Sequence, residues 1–142
     1  MILQPMPCSA LAVAEPYGSG LGGGGFFLLR KAGSPPTYHF IDARERAPLA
    51  AHARMYERNG KVDPQLSLNG PLAAGIPGLP AALADITSRY GRKTLANNLV
   101  PAIRLATDGV SIDRVYIDRA SWRLDAMRQD RETARIFLDQ GN

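Results

Sequence analysis

The rhythm of apolar positions changes near residue 80. Before it, apolar residues come in short runs broken by glycine and proline. After it, they recur at helical spacing. Residues 1–9 hold two prolines and no period, and read as irregular. Ala10-Leu11-Ala12-Val13-Ala14 suits the end of a helix or a strand, and Glu15-Pro16 stops it, because the residue before a proline is pushed out of helical geometry. Phe26–Arg30 and Thr37–Asp42 read as strands joined by the breakers of Lys31–Pro36, which predicts an antiparallel pair. Ala50–Tyr56 suggests a short helix and Asn59-Gly60 a turn. Residues 61–80, crowded with prolines and glycines, read as an ordered loop.

Three helical regions follow. Pro80–Tyr90 places Leu79, Leu83 and Ile86 on one side and stops at Gly91. Leu95–Asp108 places Leu99, Ile103 and Ala106 at helical spacing, with Thr94 to cap it and Gly109 to end it; Pro101 inside implies a kink or a late start. Asp113–Leu138 is long and salt-laced, with Asp130 placed to cap a separate last turn, Arg131–Leu138. Strands first and helices after, without βαβ alternation, predict an α+β architecture or one portion of a larger layered fold.

Composition narrows this picture only a little. With 142 residues, 45% apolar and 21% charged, the chain is long enough for one domain with a core. The net charge of +4 raises the question of a polyanionic partner. Its distribution answers no: 1–62 carry seven basic and four acidic residues, 63–112 four and three, 113–142 six of each. Without a concentrated footprint, nucleic-acid binding is not expected. Cys8 is the one cysteine, so an internal disulfide and a cysteine zinc cluster are both excluded. His39 and His52 have no third ligand at suitable spacing, so no metal is expected, and no cofactor either. Trp122 and the arginine-rich stretch around it read as core packing beside a solvated face. Met1-Ile2-Leu3-Gln4-Pro5 lacks the basic start and long apolar stretch of a signal peptide, and no run reaches the ~20 apolar residues of a membrane span. As written, the chain is expected to stay cytoplasmic.

Two stretches carry candidate chemistry. Gly18, Gly20, Gly22, Gly23, Gly24 and Gly25 place six of the fourteen glycines in eight positions. Such density points to positive φ or to close approach where a Cβ would clash. The run formally fits G-x-G-x-x-G, but a dinucleotide site needs a strand before and a helix after, whereas Glu15-Pro16 precedes it and Phe26-Phe27-Leu28-Leu29 follows. Nothing matches the catalytic-loop or magnesium motifs of a kinase. The second stretch is Asp42-Ala43-Arg44-Glu45-Arg46, at a strand end. A guanidinium there can take a carboxylate in bidentate fashion, or simply pair with Asp42 or Glu45. Alternation puts Arg44 and Arg46 on one face and Glu45 on the other. Ser19, Ser67 and Thr94 lie in no nucleophile elbow and have no assignable histidine–carboxylate partner, so the chain shows no nucleophile of its own.

The run Glu15-Pro16-Tyr17-Gly18-Ser19-Gly20-Leu21-Gly22-Gly23-Gly24-Gly25-Phe26 resembles the glycine signature of the gamma-glutamyltransferases (gamma-glutamyltranspeptidases). Ile41-Asp42-Ala43-Arg44-Glu45-Arg46-Ala47-Pro48 is similar to that family's "L-D-x-R-E-x-A-P". Ala53-Arg54-Met55-Tyr56, Gly70 with Gly75-Ile76-Pro77-Gly78, and Tyr90-Gly91 with Pro101–Gly109 follow in the family's order. The likeness covers residues 10–142, with 1–9 unmatched.

This resemblance implies a fragment of an N-terminal nucleophile hydrolase fold, a four-layer αββα sandwich. It implies an acyltransferase and hydrolase that cleaves gamma-glutamyl amides such as glutathione, through the N-terminal threonine of a small subunit. That threonine is not in this chain, so the isolated chain is expected to be inactive. Its expected partners are a gamma-glutamyl substrate and the remaining large-subunit portion with the small subunit. The family is generally exported or outward-facing. One substrate-binding residue carries over: Arg44 stands where the family's arginine holds the gamma-glutamyl α-carboxylate, with Asp42 and Glu45 as support and the glycine run as a structural loop. Arg46 stands where the family varies and receives no role. A non-enzymatic binding module for glutamate-like or nucleotide ligands, and a non-functional remnant, remain the alternatives.

Overall fold

The computed structural model describes residues 6–138. Helix α1 spans Met6–Ala14. It settles the apolar piece at 10–14 as helical and corrects the irregular reading of 6–9; residues 1–5 lie outside the described ones. A proline in the first turn is no obstacle, because its absent N–H has no intrahelical acceptor there.

Strands β1, Phe26–Lys31, and β2, Thr37–Asp42, pair antiparallel with Phe26 opposite Asp42, Leu28 opposite Phe40 and Leu29 opposite His39. Cross-strand partners share a face, so the hairpin sorts its residues into two sets. Phe27, Leu29 and Ile41 face inward; Phe26, Leu28, Tyr38 and Phe40 face outward and are exposed, with the Phe26 and Phe40 rings stacked at 5.6 Å. A second, smaller hairpin pairs β3, Glu57–Arg58, with β4, Lys61–Val62, around Asn59-Gly60. Both turn residues have positive φ, 52° and 74°, as a two-residue hairpin turn requires. The expected helix at 50–56 is instead a succession of turns, held by Met55 N donating to His52 O and Glu57 N to Arg54 O. Residues 61–80 form the expected loop, apart from β4 and two short 3₁₀ turns, Pro64–Ser67 and Pro71–Ala73.

Helices α2, Leu79–Tyr90, and α3, Leu95–Asp108, lie where the periodicity puts them. Leu79, Leu83 and Ile86 of α2 are buried as expected, and Ile86 joins Leu29, Ala43 and Ala82 in the core. Thr94 caps α3 by accepting from Asn97 N at 3.2 Å. The helix starts at Leu95 and runs through Pro101, so the late start is excluded. Its inward stripe is shifted from the expected one. Asn98 and Ala102 are buried, whereas Ile103 and Ala106 are exposed. Helix α1 packs on α3. Beyond Gly109 the long charged stretch breaks into α4, Arg114–Ser121, α5, Leu124–Gln129, and α6, Arg131–Phe137. Asp113 and Asp130 cap α4 and α6 through Tyr116 N at 2.8 Å and Thr133 N at 2.7 Å. Trp122 is 72% exposed rather than packed in the core, and the Arg119 guanidinium lies 4.3 Å above its ring.

Candidate functional site

The stretch after β2 leaves the core at Ala43 and is held by hydrogen bonds on both sides. Asp42 accepts from the Arg44 amide at 3.0 Å, which turns the chain out of the strand. Ala43 and Gly25 exchange both backbone hydrogen bonds, at 2.9 and 3.2 Å, and so extend the hairpin ladder one pair past Phe26–Asp42. Arg46 and Ile76 exchange another reciprocal pair, at 3.1 and 2.8 Å. Residues 43–46 are therefore held from one side by the glycine run and from the other by the segment leading into α2.

Two glycines make this enclosure possible. A Cβ on Gly24 would stand 2.5 Å from the Ala43 carbonyl oxygen, 2.7 Å from Arg44 Cα and 2.8 Å from Glu45 N. A Cβ on Gly78 would strike the Ala43 carbonyl and lie 2.6 Å from that of Arg44. The backbone of 43–45 thus passes between two surfaces that tolerate no side chain. Within the run, Gly24 works through close approach, and none of its glycines has a positive φ; among the described residues that belongs to Gly60, Gly70 and Gly109. Gly18, Gly22 and Gly25 have open space around them.

The strand ends at Asp42, so the alternation expected at 44–46 has no strand to carry it. Arg44 and Arg46 line a cleft of about 350 Å³ together with Asp42, Ile41, Ile76 and Asp85. Glu45 lines a separate hollow of about 250 Å³ with the glycine run and Leu79. Glu45 and Arg46 together line a further hollow with Ala47 and Gly75. Arg44 is anchored at its backbone and free at its tip. Its side chain is 67% exposed, with Nε 3.9 Å from a Glu45 carboxylate oxygen and the guanidinium carbon 6.0 Å from the Phe26 ring centre. At that separation the Glu45 pair is a loose one, worth no more than the ~1 kcal/mol of a surface ion pair. The guanidinium thus keeps its donor fork open to an incoming carboxylate. Asp42 thus meets Arg44 at its backbone amide, and Glu45 meets it through this loose pair.

Gly18, Gly20, Gly22, Gly23, Gly24 and Gly25 sit beside this stretch as a structural loop. The first amide of α2, Leu79 N, donates to Gly23 O at 3.1 Å, so it is already engaged within the fold. The run leads into β1 rather than a helix, as its flanks imply. His39 stacks beside Tyr90, ring centres 5.4 Å apart, and His52 lies in the turns after Pro48. What the reading of individual residues missed is the far wall: Ile76, Pro77 and Gly78, with Asp85 of α2. The signal was visible as two glycines flanking Ile-Pro just ahead of a helix, but close approach is a property of the pair of segments and not of either alone.

A family model described as gamma-glutamyltranspeptidase matches residues 8–142. The chain belongs to the gamma-glutamyltranspeptidase family. It is 37% identical over 134 residues to a glutathione hydrolase proenzyme of Pseudomonas sp. (strain A14), covering 93% of this chain and 23% of that protein. It is 34% identical over 134 residues to the glutathione hydrolase proenzyme of Escherichia coli (strain K12), with the same coverage, 93% and 23%. The crystal structure of Helicobacter pylori gamma-glutamyltranspeptidase superposes with a TM-score of 0.87 at 33% identity, covering 96% of this chain and 39% of that one. The chain thus spans under a quarter of the length of these curated relatives and corresponds to an N-terminal portion of a gamma-glutamyltranspeptidase. The α+β reading as part of an N-terminal nucleophile hydrolase holds. No helix among the described residues is long and apolar enough to cross a membrane.

Proposed function

We propose that this chain supplies the carboxylate clamp of a gamma-glutamyltranspeptidase, with Arg44 gripping the α-carboxylate of a gamma-glutamyl donor such as glutathione. The observation that carries this reading is the mechanical isolation of Arg44. Its backbone is held by the Asp42 carboxylate and wedged between Gly24 and Gly78, while its guanidinium stays 67% exposed at a cleft. A fixed stem with an open donor fork is what bidentate binding of a carboxylate needs, since the ordering cost is met in advance by the fold.

Acyl transfer needs a nucleophile, and Ser19, Ser67 and Thr94 have no activating base among the described residues. In this reading the nucleophilic threonine belongs to the remaining portion of the enzyme, and the isolated chain binds without turning over. The outward face of the hairpin supports a partner of that kind. Phe26, Leu28, Tyr38 and Phe40 are 58–71% exposed side by side, a contiguous apolar surface of the sort that interaction sites present. The remaining large-subunit portion and the small subunit would cover it, completing the layers of the sandwich.

The test is complementation. This chain, mixed with the remaining portion of a full-length relative, is assayed for release of the chromophore from a gamma-glutamyl anilide. Activity in the mixture and none in either part is expected. Arg44→Ala in the mixture should raise KM about thirtyfold, the equivalent of a charge-assisted contact of ~2 kcal/mol. An unchanged KM rules out the clamp, and turnover by this chain alone rules out the division of labour.

A further inference from the structure

The cleft that Arg44 lines is bordered by a second arginine, which also borders a hollow beside Glu45. Arg46 lines the same cleft, and its backbone is pinned to Ile76 by two hydrogen bonds of 3.1 and 2.8 Å, so its stem is as fixed as that of Arg44. It has no ion-pair partner among the described residues. The cleft's carboxylates are engaged elsewhere: Asp42 accepts from the Arg44 amide, and Asp85 pairs with Arg89. Two like charges two residues apart along the chain, with stems no more than about 7 Å apart, repel each other. That repulsion is relieved when the occupant brings two negative charges. Between the arginines and α2 the wall is apolar, formed by Ile41, Ile76, Pro77 and Ala82.

Building on the reading of Arg44 as the α-carboxylate clamp, we propose that Arg46 binds a second carboxylate of the donor, so that this cleft selects gamma-glutamyl compounds with an acid at the far end over those without. In glutathione that group is the glycine carboxylate. A gamma-glutamyl amine or anilide has nothing to offer Arg46.

The test uses the 142-residue chain with isotope labelling and follows its amide and arginine side-chain resonances during titration. The probes are glutathione and its glycine monoethyl ester, which differ only in the charge of the far carboxyl. Glutathione should bind about fivefold more tightly than the ester, the yield of ~1 kcal/mol from one solvent-exposed ion pair. Arg46→Gln should abolish that preference without weakening the ester, and Arg46→Lys should restore part of it. Arg44→Ala should weaken both probes. A preference that survives in Arg46→Gln overturns the role of Arg46 while leaving the clamp intact. If Arg44→Ala leaves both affinities unchanged, the clamp itself fails. The spectrum of each variant reports directly whether it is folded.

Discussion

Replacing Gly24 by alanine tests the central structural claim, that the glycine run exists to let the Arg44 backbone pass. The new methyl would meet the Ala43 carbonyl oxygen at 2.5 Å, Arg44 Cα at 2.7 Å and Glu45 N at 2.8 Å. All three are backbone atoms, and none can swing away as a side-chain tip would. Relief requires the 43–45 stretch to move off β1, against the reciprocal hydrogen bonds between Gly25 and Ala43 at 2.9 and 3.2 Å. Overpacking of this kind costs about 1–3 kcal/mol, and weakening two backbone hydrogen bonds adds roughly 1 kcal/mol. A loss of about 3 kcal/mol lowers Tm by on the order of 10 °C in a domain of this size. Far-UV circular dichroism during heating reads this directly. Gly25→Ala is the matched control, because that position is adjacent, has open space around it and keeps its hydrogen bonds. It should melt within about 2–3 °C of the parent, helped by the reduced freedom of the unfolded chain. Equal melting of the two variants would refute the close-approach argument.

Other consequences are simpler. Gly78→Ala, which brings its methyl onto the same stretch from the opposite side, should destabilise to a similar extent as Gly24→Ala. Ile86 is 1% exposed at the centre of the core, so Ile86→Ala should cost about 2–5 kcal/mol in urea denaturation. The hydrogen bonds that Asp130 accepts from the Thr133 side chain and amide hold its carboxyl below the usual value. A carboxyl lowered in the folded state stabilises fully above its unfolded pKa of about 3.9 and loses that contribution as pH falls through the lower folded value. Protection against hydrogen exchange in α6, taken relative to the intrinsic rate at each pH, should therefore be flat down to about pH 4 and fall only below it. Asp130→Asn, which keeps an accepting oxygen at the cap, should remove that acid dependence while leaving the helix in place near pH 7.

Much of the secondary structure is written locally. The β1–β2 hairpin, the Asn59-Gly60 turn, α3 from Thr94 to Gly109 and the Asp130 cap all follow from rules that act over a few residues: alternation, turn chemistry and capping. Family membership was legible in the same way, because five motifs stand in order along the chain, and Arg44 is named by one of them. Local reading failed where a distant segment decides. It assigned a helix to 50–56, where the chain makes successive turns. It put Ile103 and Ala106 inward, although the buried residues of α3 are Asn98 and Ala102. It buried Trp122, whose ring lies at the surface under Arg119.

The glycine run shows the division most clearly. By itself the sequence established that residues 18–25 needed either unusual φ angles or room, and that their flanks refused a phosphate loop. Only the tertiary structure decided for room, at Gly24, and supplied its counterpart at Gly78, more than fifty residues further along. The physical reason is that a positive φ is a property of one residue, whereas a missing Cβ has meaning only against the atoms that fill its place. Those atoms belong to Ala43, Arg44 and Glu45, and they arrive there because β2 folds back on β1 and α2 closes over the core.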